Sequence, residues 1–150
     1  VQLFESCADL PDLDQYLEFA LPYQQEVFSR IESRVPRILF SKGFSHLAHL
    51  QESGADVLSL AGGCTIAEAR MQVGTGVALQ GNVSNRLLAG GTPAEIGAAV
   101  RACIASGGHC GHVLNLDHGL LQNTPWEHVE LMVSLARVNR VAAPSAGARE

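Results

Sequence analysis

Short, nearly continuous apolar runs alternate with helical stretches about five times along this chain, and that alternation restricts its fold more than any other feature. The runs are Val1-Gln2-Leu3-Phe4, Arg37-Ile38-Leu39-Phe40, Asp56-Val57-Leu58-Ser59-Leu60, Gly76-Val77-Ala78-Leu79-Gln80 and His112-Val113-Leu114-Asn115-Leu116. So much apolar character in so few residues suits strands buried on both faces, as parallel sheets require. Between the runs, Tyr23, Val27 and Ile31 recur every four residues after Pro22, a residue tolerated at a helix start. Thr92-Pro93-Ala94-Glu95 and Thr124-Pro125-Trp126-Glu127 both fit the capping box, in which threonine accepts from an orphan amide and glutamate reaches back. Val129, Met132, Val133 and Ala136 then form an apolar stripe at helical spacing, and Trp126 and this stripe read as core packing.

Alternating strands and helices with right-handed crossovers define an α/β fold with a parallel sheet. At 150 residues the chain is one domain or part of one. Five βα units can close as a flavodoxin-like open sheet, or they can be most of an eight-unit barrel, which needs about 250 residues. Periodicity does not choose between the two. The chain opens at Val1, without methionine, in what reads as a buried strand, and is therefore expected to be a piece of a longer polypeptide. The domain is expected over residues 1–142, with a small-residue tail over 143–150 expected to be disordered.

A net charge of −5 argues against a nucleic-acid partner. No apolar run reaches the roughly 20 residues of a membrane-spanning helix. The four cysteines form no CxxC pair, which fits a reducing cytosol better than a disulfide framework, so a cytoplasmic location is expected.

Both architectures place chemistry at the carboxyl ends of the strands. Those positions hold Ser6, then Ser41-Lys42-Gly43, Ala61-Gly62-Gly63-Cys64, Gly81-Asn82 and Asp117-His118-Gly119. Ser6 and Asn82 can hydrogen-bond a substrate oxygen, and His118 can bind a carboxylate or pass a proton. Lys42 is the only lysine beside nine arginines. A desolvated lysine there can form a Schiff base, whereas the plainer reading is a solvated or carboxylate-paired side chain. His109-Cys110-Gly111-His112 has zinc-ligand types but precedes the fifth strand, at the wrong end for the expected site, so no metal is expected.

Taken together, these strand ends resemble the C-terminal portion of the uroporphyrinogen decarboxylase family. The stretches that carry the resemblance are Val1-Gln2-Leu3-Phe4-Glu5-Ser6, Phe19-Ala20-Leu21-Pro22-Tyr23, Phe40-Ser41-Lys42-Gly43, Gly54-Ala55-Asp56-Val57, Ala78-Leu79-Gln80-Gly81-Asn82, Asn115-Leu116-Asp117-His118-Gly119 and Thr124-Pro125-Trp126-Glu127-His128-Val129. The resemblance implies a (β/α)8 TIM barrel, with this chain supplying roughly its last five βα units. It implies decarboxylation of the acetate groups of uroporphyrinogen III to give coproporphyrinogen III in heme and tetrapyrrole biosynthesis. It also implies a porphyrinogen substrate, a homodimer, and no metal or organic cofactor. Ser6 and His118 match substrate-contacting residues of the family. Lys42, Asn82 and Asp117 are expected to line the site. The family's catalytic aspartate and carboxylate-gripping arginines belong to its N-terminal half, outside the segment matched here.

The chain departs from the family pattern at several strand ends. Glycine-leucine-aspartate-tryptophan reads Ser59-Leu60-Ala61-Gly62, glycine-asparagine-leucine-aspartate-proline reads Gly81-Asn82-Val83-Ser84-Asn85, and Asp117 replaces a glycine before His118. A carboxylate at that position is expected to favour the imidazolium of His118. If the family glycine needs a positive φ, Asp117 would have to adopt it at some cost. Two other readings are a non-catalytic partial barrel and a corrinoid or thiol methyltransferase of the same superfamily. The latter expects zinc ligands near Ser41-Lys42-Gly43, where no ligand-type residue occurs.

Overall fold

The computed structural model describes residues 1–43, 46–108 and 111–139. Five parallel strands lie side by side in chain order: β1 (Gln2–Glu5), β2 (Ile38–Ser41), β3 (Val57–Leu60), β4 (Ala78–Gln80) and β5 (His112–Val113). An isolated parallel bridge between Val83 and Leu116 extends the pairing beyond β5. Helices α1 (Leu13–Phe19) and α2 (Leu21–Ser29) follow β1, α3 (Leu47–Leu50) with a 3₁₀ turn follows β2, and α4 (Ile66–Val73) follows β3. Helices α5 (Asn85–Gly90) and α6 (Pro93–Gly107) follow β4, and α7 (Trp126–Val138) follows β5. No helix among the described residues is long and apolar enough to cross a membrane.

The strand register produces two side-chain layers. Leu39, Leu58 and Leu79 sit in register and are fully buried against Phe28, Ile66, Ala69 and Val73 of the helices. The next row, on the opposite face, runs Phe4, Phe40, Ser59, Gln80 and Val113. Gln80 donates to the Ser59 hydroxyl at 2.9 Å, so the polar middle of this row is satisfied internally. Its ends are open: Phe4 and Val113, on the outermost strands, are both exposed. A second cluster, Val83, Leu88, Ile96, Val100 and Leu116, packs α5, α6 and α7 together.

At the N-terminal end of the sheet, two arginines fasten the strands. Arg37 grips Asp56 with Nε at 3.0 Å and Nη2 at 2.9 Å, joining the starts of β2 and β3. Arg70 donates to three carbonyls, those of Gly74, Val77 and Gly111, tying the end of α4 to the segments that enter β4 and β5.

Three sequence expectations need correction. The Thr92 box forms as expected, with Thr92 N–H to Glu95 at 2.8 Å, but the Thr124 box does not. Helix α7 begins one residue later, with Pro125 as its N-cap, so Glu127 falls out of the box register and the buried Thr124 hydroxyl has no partner. Trp126 is 67 % exposed and is not core, and of the Met132 stripe Val129 and Met132 pack half-buried against the second cluster while Val133 is exposed. In α2 the buried face is Leu21, Gln24 and Phe28, whereas Tyr23 and Val27 lie on the exposed side. His109 and Cys110 and the expected tail fall outside the described residues.

Candidate functional site

The C-terminal ends of the strands surround a shallow cavity of about 340 Å³, whose lining includes Asp9, Lys42, Gly62, Arg86, Asp117 and His118. All five strand-end loops contribute to the lining. A larger groove of about 620 Å³ lies beside β1 and is lined by Leu3, Leu10, Phe19, Tyr23 and Val27 among others. That groove is mainly apolar at an unpaired sheet edge and gathers no cluster of ionisable groups. The smaller cavity is the chemically equipped one.

Lys42 follows β2, and its Nζ lies 3.2 Å from the Asp9 carboxylate. The contact matches the plainer reading of this lysine as carboxylate-paired. The two loops also meet at Gly43, where φ is +71° and a Cβ would stand 3.0 Å from the Asp9 Cβ. Glycine is needed there both for its backbone angle and for its lack of bulk.

Asp117 behaves differently from expectation. It accepts the backbone N–H of Asn85 at 2.8 Å, and its other oxygen lies over Gly62, 3.2 Å from where a Cβ would sit. No non-glycine residue among those described has positive φ, so Asp117 occupies the family glycine position without that strain. Its charge is directed toward α5 and Gly62. His118 Nδ1 instead accepts from the Gly119 N–H at 2.8 Å. With Nδ1 accepting, Nε2 is the ring nitrogen left to donate. The ring stands edge-on to Phe40 with centroids 5.8 Å apart.

Ser6 sits exposed in the turn after β1 and does not line this cavity. Asn82 follows β4, but its amide donates to the carbonyls of Ala61 at 3.2 Å and Cys64 at 2.6 Å, holding the β3–α4 loop. Of the five expected residues, the fold brings Lys42, Asp117 and His118 to one cavity and leaves Ser6 and Asn82 outside it. Sequence reasoning missed Asp9 and Arg86. The only available signal for Arg86 was its place just beyond the fourth strand's Gly-Asn, in the first turn of α5. Among the described residues, no group of three His, Cys, Asp or Glu could hold a metal ion; His112 Nε2 lies 2.8 Å from the Gly81 carbonyl.

A parallel sheet in sequential order, covered by helices and carrying its ionisable residues at the strand C-termini, defines the (β/α)-barrel class, here present as five strands. A methyltransferase structure from Methanosarcina mazei superposes with a TM-score of 0.78 at 23 % identity, over 91 % of this chain and 41 % of that one. This likeness concerns the fold alone. The family model for uroporphyrinogen decarboxylase (URO-D) matches residues 1–138. Uroporphyrinogen decarboxylase of Pelodictyon phaeoclathratiforme is 35 % identical over 145 residues, covering 91 % of this chain. That of Neisseria meningitidis is 39 % identical over 140 residues, covering 89 % of it. The chain belongs to the uroporphyrinogen decarboxylase family, and it spans 41 % and 39 % of the length of these two relatives.

Proposed function

We propose that this chain provides the C-terminal βα units of a uroporphyrinogen decarboxylase, a cytoplasmic carboxy-lyase that works as a homodimer. The observation that carries the reading is the family match over residues 1–138, with His118 at the strand-end cavity. Protonating a pyrrole ring at carbon creates an electron sink for the departing carboxylate, so the protein must bind an acidic substrate and stabilise positive charge on the ring. In this reading Nε2–H of His118 donates to a substrate carboxylate, and Ser6 contacts the substrate from the β1 turn. Lys42 holds the β1 loop through Asp9. The reaction needs no organic cofactor or metal.

The family's catalytic aspartate and carboxylate-gripping arginines lie outside the matched segment. The 150-residue chain alone is therefore proposed to be inactive. The methyltransferase alternative draws support from fold likeness only, and its expected ligand positions carry Ser41, Lys42 and Gly43.

The test is to incubate the complete protein with uroporphyrinogen III and resolve the products by carboxylate number. Stepwise loss of acetate carboxyls is expected. No product from well-folded complete protein removes the decarboxylase reading, and turnover by the isolated 150-residue chain removes the claim that it is inactive alone.

A further inference from the structure

The charged groups of the strand-end cavity are unevenly paired. Lys42 is engaged with Asp9 at 3.2 Å, and Asp117 accepts from Asn85 while lying over Gly62. Arg86, the second residue of α5, is exposed and lines the same cavity. Among the described residues it makes no hydrogen bond and no ion pair. Lys42 and Asp9 cancel one another, so Arg86 is the cation left to offset Asp117. Without it the cavity carries net negative charge and repels an acidic ligand.

We propose that Arg86 binds a carboxylate of the substrate and acts as a specificity residue beside His118. A guanidinium presents a planar fork of donors that matches a carboxylate, and it stays charged at every working pH. His118 lines the same cavity and can contribute its Nε2–H, so the two residues together fit an acidic side arm. The substrate's identity rests on the decarboxylase reading. The role of Arg86 adds to it a cation that the family motifs do not include.

The experiment titrates the complete protein with uroporphyrin III, the oxidised and unreactive polycarboxylate, by fluorescence. It compares Arg86→Gln, Arg86→Lys and a control, Arg101→Gln, which removes the same charge from the exposed face of α6. Arg86→Gln is expected to weaken binding about three- to tenfold, the range for losing one charge-assisted hydrogen bond at a solvent-exposed site. Arg86→Lys should recover part of that loss, and Arg101→Gln should match the parent. The proposal is overturned if the parent binds no uroporphyrin, if Arg86→Gln binds like the parent, or if Arg101→Gln weakens binding equally. Parallel uroporphyrinogen turnover separates this proposal from the reading beneath it. Arg86-dependent binding without decarboxylation keeps Arg86 and removes the decarboxylase. Decarboxylation with an unchanged KM in Arg86→Gln keeps the decarboxylase and removes Arg86.

Discussion

Asp117 accepts the backbone N–H of Asn85 at 2.8 Å, joining the loop after β5 to the first turn of α5. The family pattern has glycine and proline at these positions. Proline has no N–H to satisfy, whereas asparagine does, and Asp117 supplies the acceptor. Two departures that look unrelated along the chain are therefore one physical change.

Asp117→Gly is expected to cost about 1–3 kcal/mol, because it strands a part-buried N–H. Asn85→Pro removes that N–H, although it also removes the Asn85 Nδ2 bond to the Gly119 carbonyl at 2.8 Å. Proline suits the first position of a helix. In the Asn85→Pro background, Asp117→Gly should therefore cost at least about 1 kcal/mol less. Urea unfolding of the four proteins measures the coupling, and additivity within about 0.5 kcal/mol would show the two sites to be independent.

His118→Ala in the complete protein should lower kcat/KM about ten- to hundredfold, the cost of one hydrogen bond to a charged substrate group. His118 is exposed, so the circular dichroism spectrum and thermal midpoint should stay near the parent's. Parent-like kinetics would take His118 out of the site.

Tyr16 is fully buried, and its hydroxyl donates to Gln24 at 2.8 Å, while Gln24 donates onward to Glu5 at 3.2 Å. Burial first, then the charges of Glu5 and Glu52, push the phenol far above its ordinary range, so it remains a donor. Tyr16→Phe leaves the buried Gln24 carbonyl without this donor and should cost about 1–2 kcal/mol. An unchanged denaturation midpoint would show that the chain of bonds does not stabilise α1 and α2 against β1.

The Arg37 hydrogen bonds hold the Asp56 carboxyl below its usual range. A depressed folded-state value stabilises the fold above the unfolded carboxyl's pKa, near 3.9, and this contribution disappears as pH falls through the folded value. The pair is largely solvated, so solvent screening keeps its contribution small. Asp56→Asn should therefore lose stability at pH 7 and show a smaller further loss between about pH 4 and pH 2 than the parent. Parallel acid profiles for the two proteins would contradict this.

The five strands were legible because buried parallel strands leave an unmistakable apolar density. All five observed strands fall within or beside the expected runs, although the fifth narrows to His112–Val113 before pairing resumes at Leu116. Helix ends depended on single-residue register, and Thr124 shows how one residue defeats a capping motif. Lys42 and His118 were readable from strand-end position and chemistry. Arg86 was not, since nothing in a local motif distinguishes a cavity arginine from a solvated one. The hydrogen bond that fixes the His118 tautomer depends on the turn's geometry, and sequence offers no sign of it.

The Arg70 cradle sits at the opposite end of the sheet from the cavity, where its one guanidinium reaches carbonyls in three places. Arg70 thereby ties α4, β4 and β5 together at the end away from the loops that bear the chemistry. A scaffold anchored there can carry altered strand ends, with coupled positions such as Asp117 and Asn85 changing as a pair.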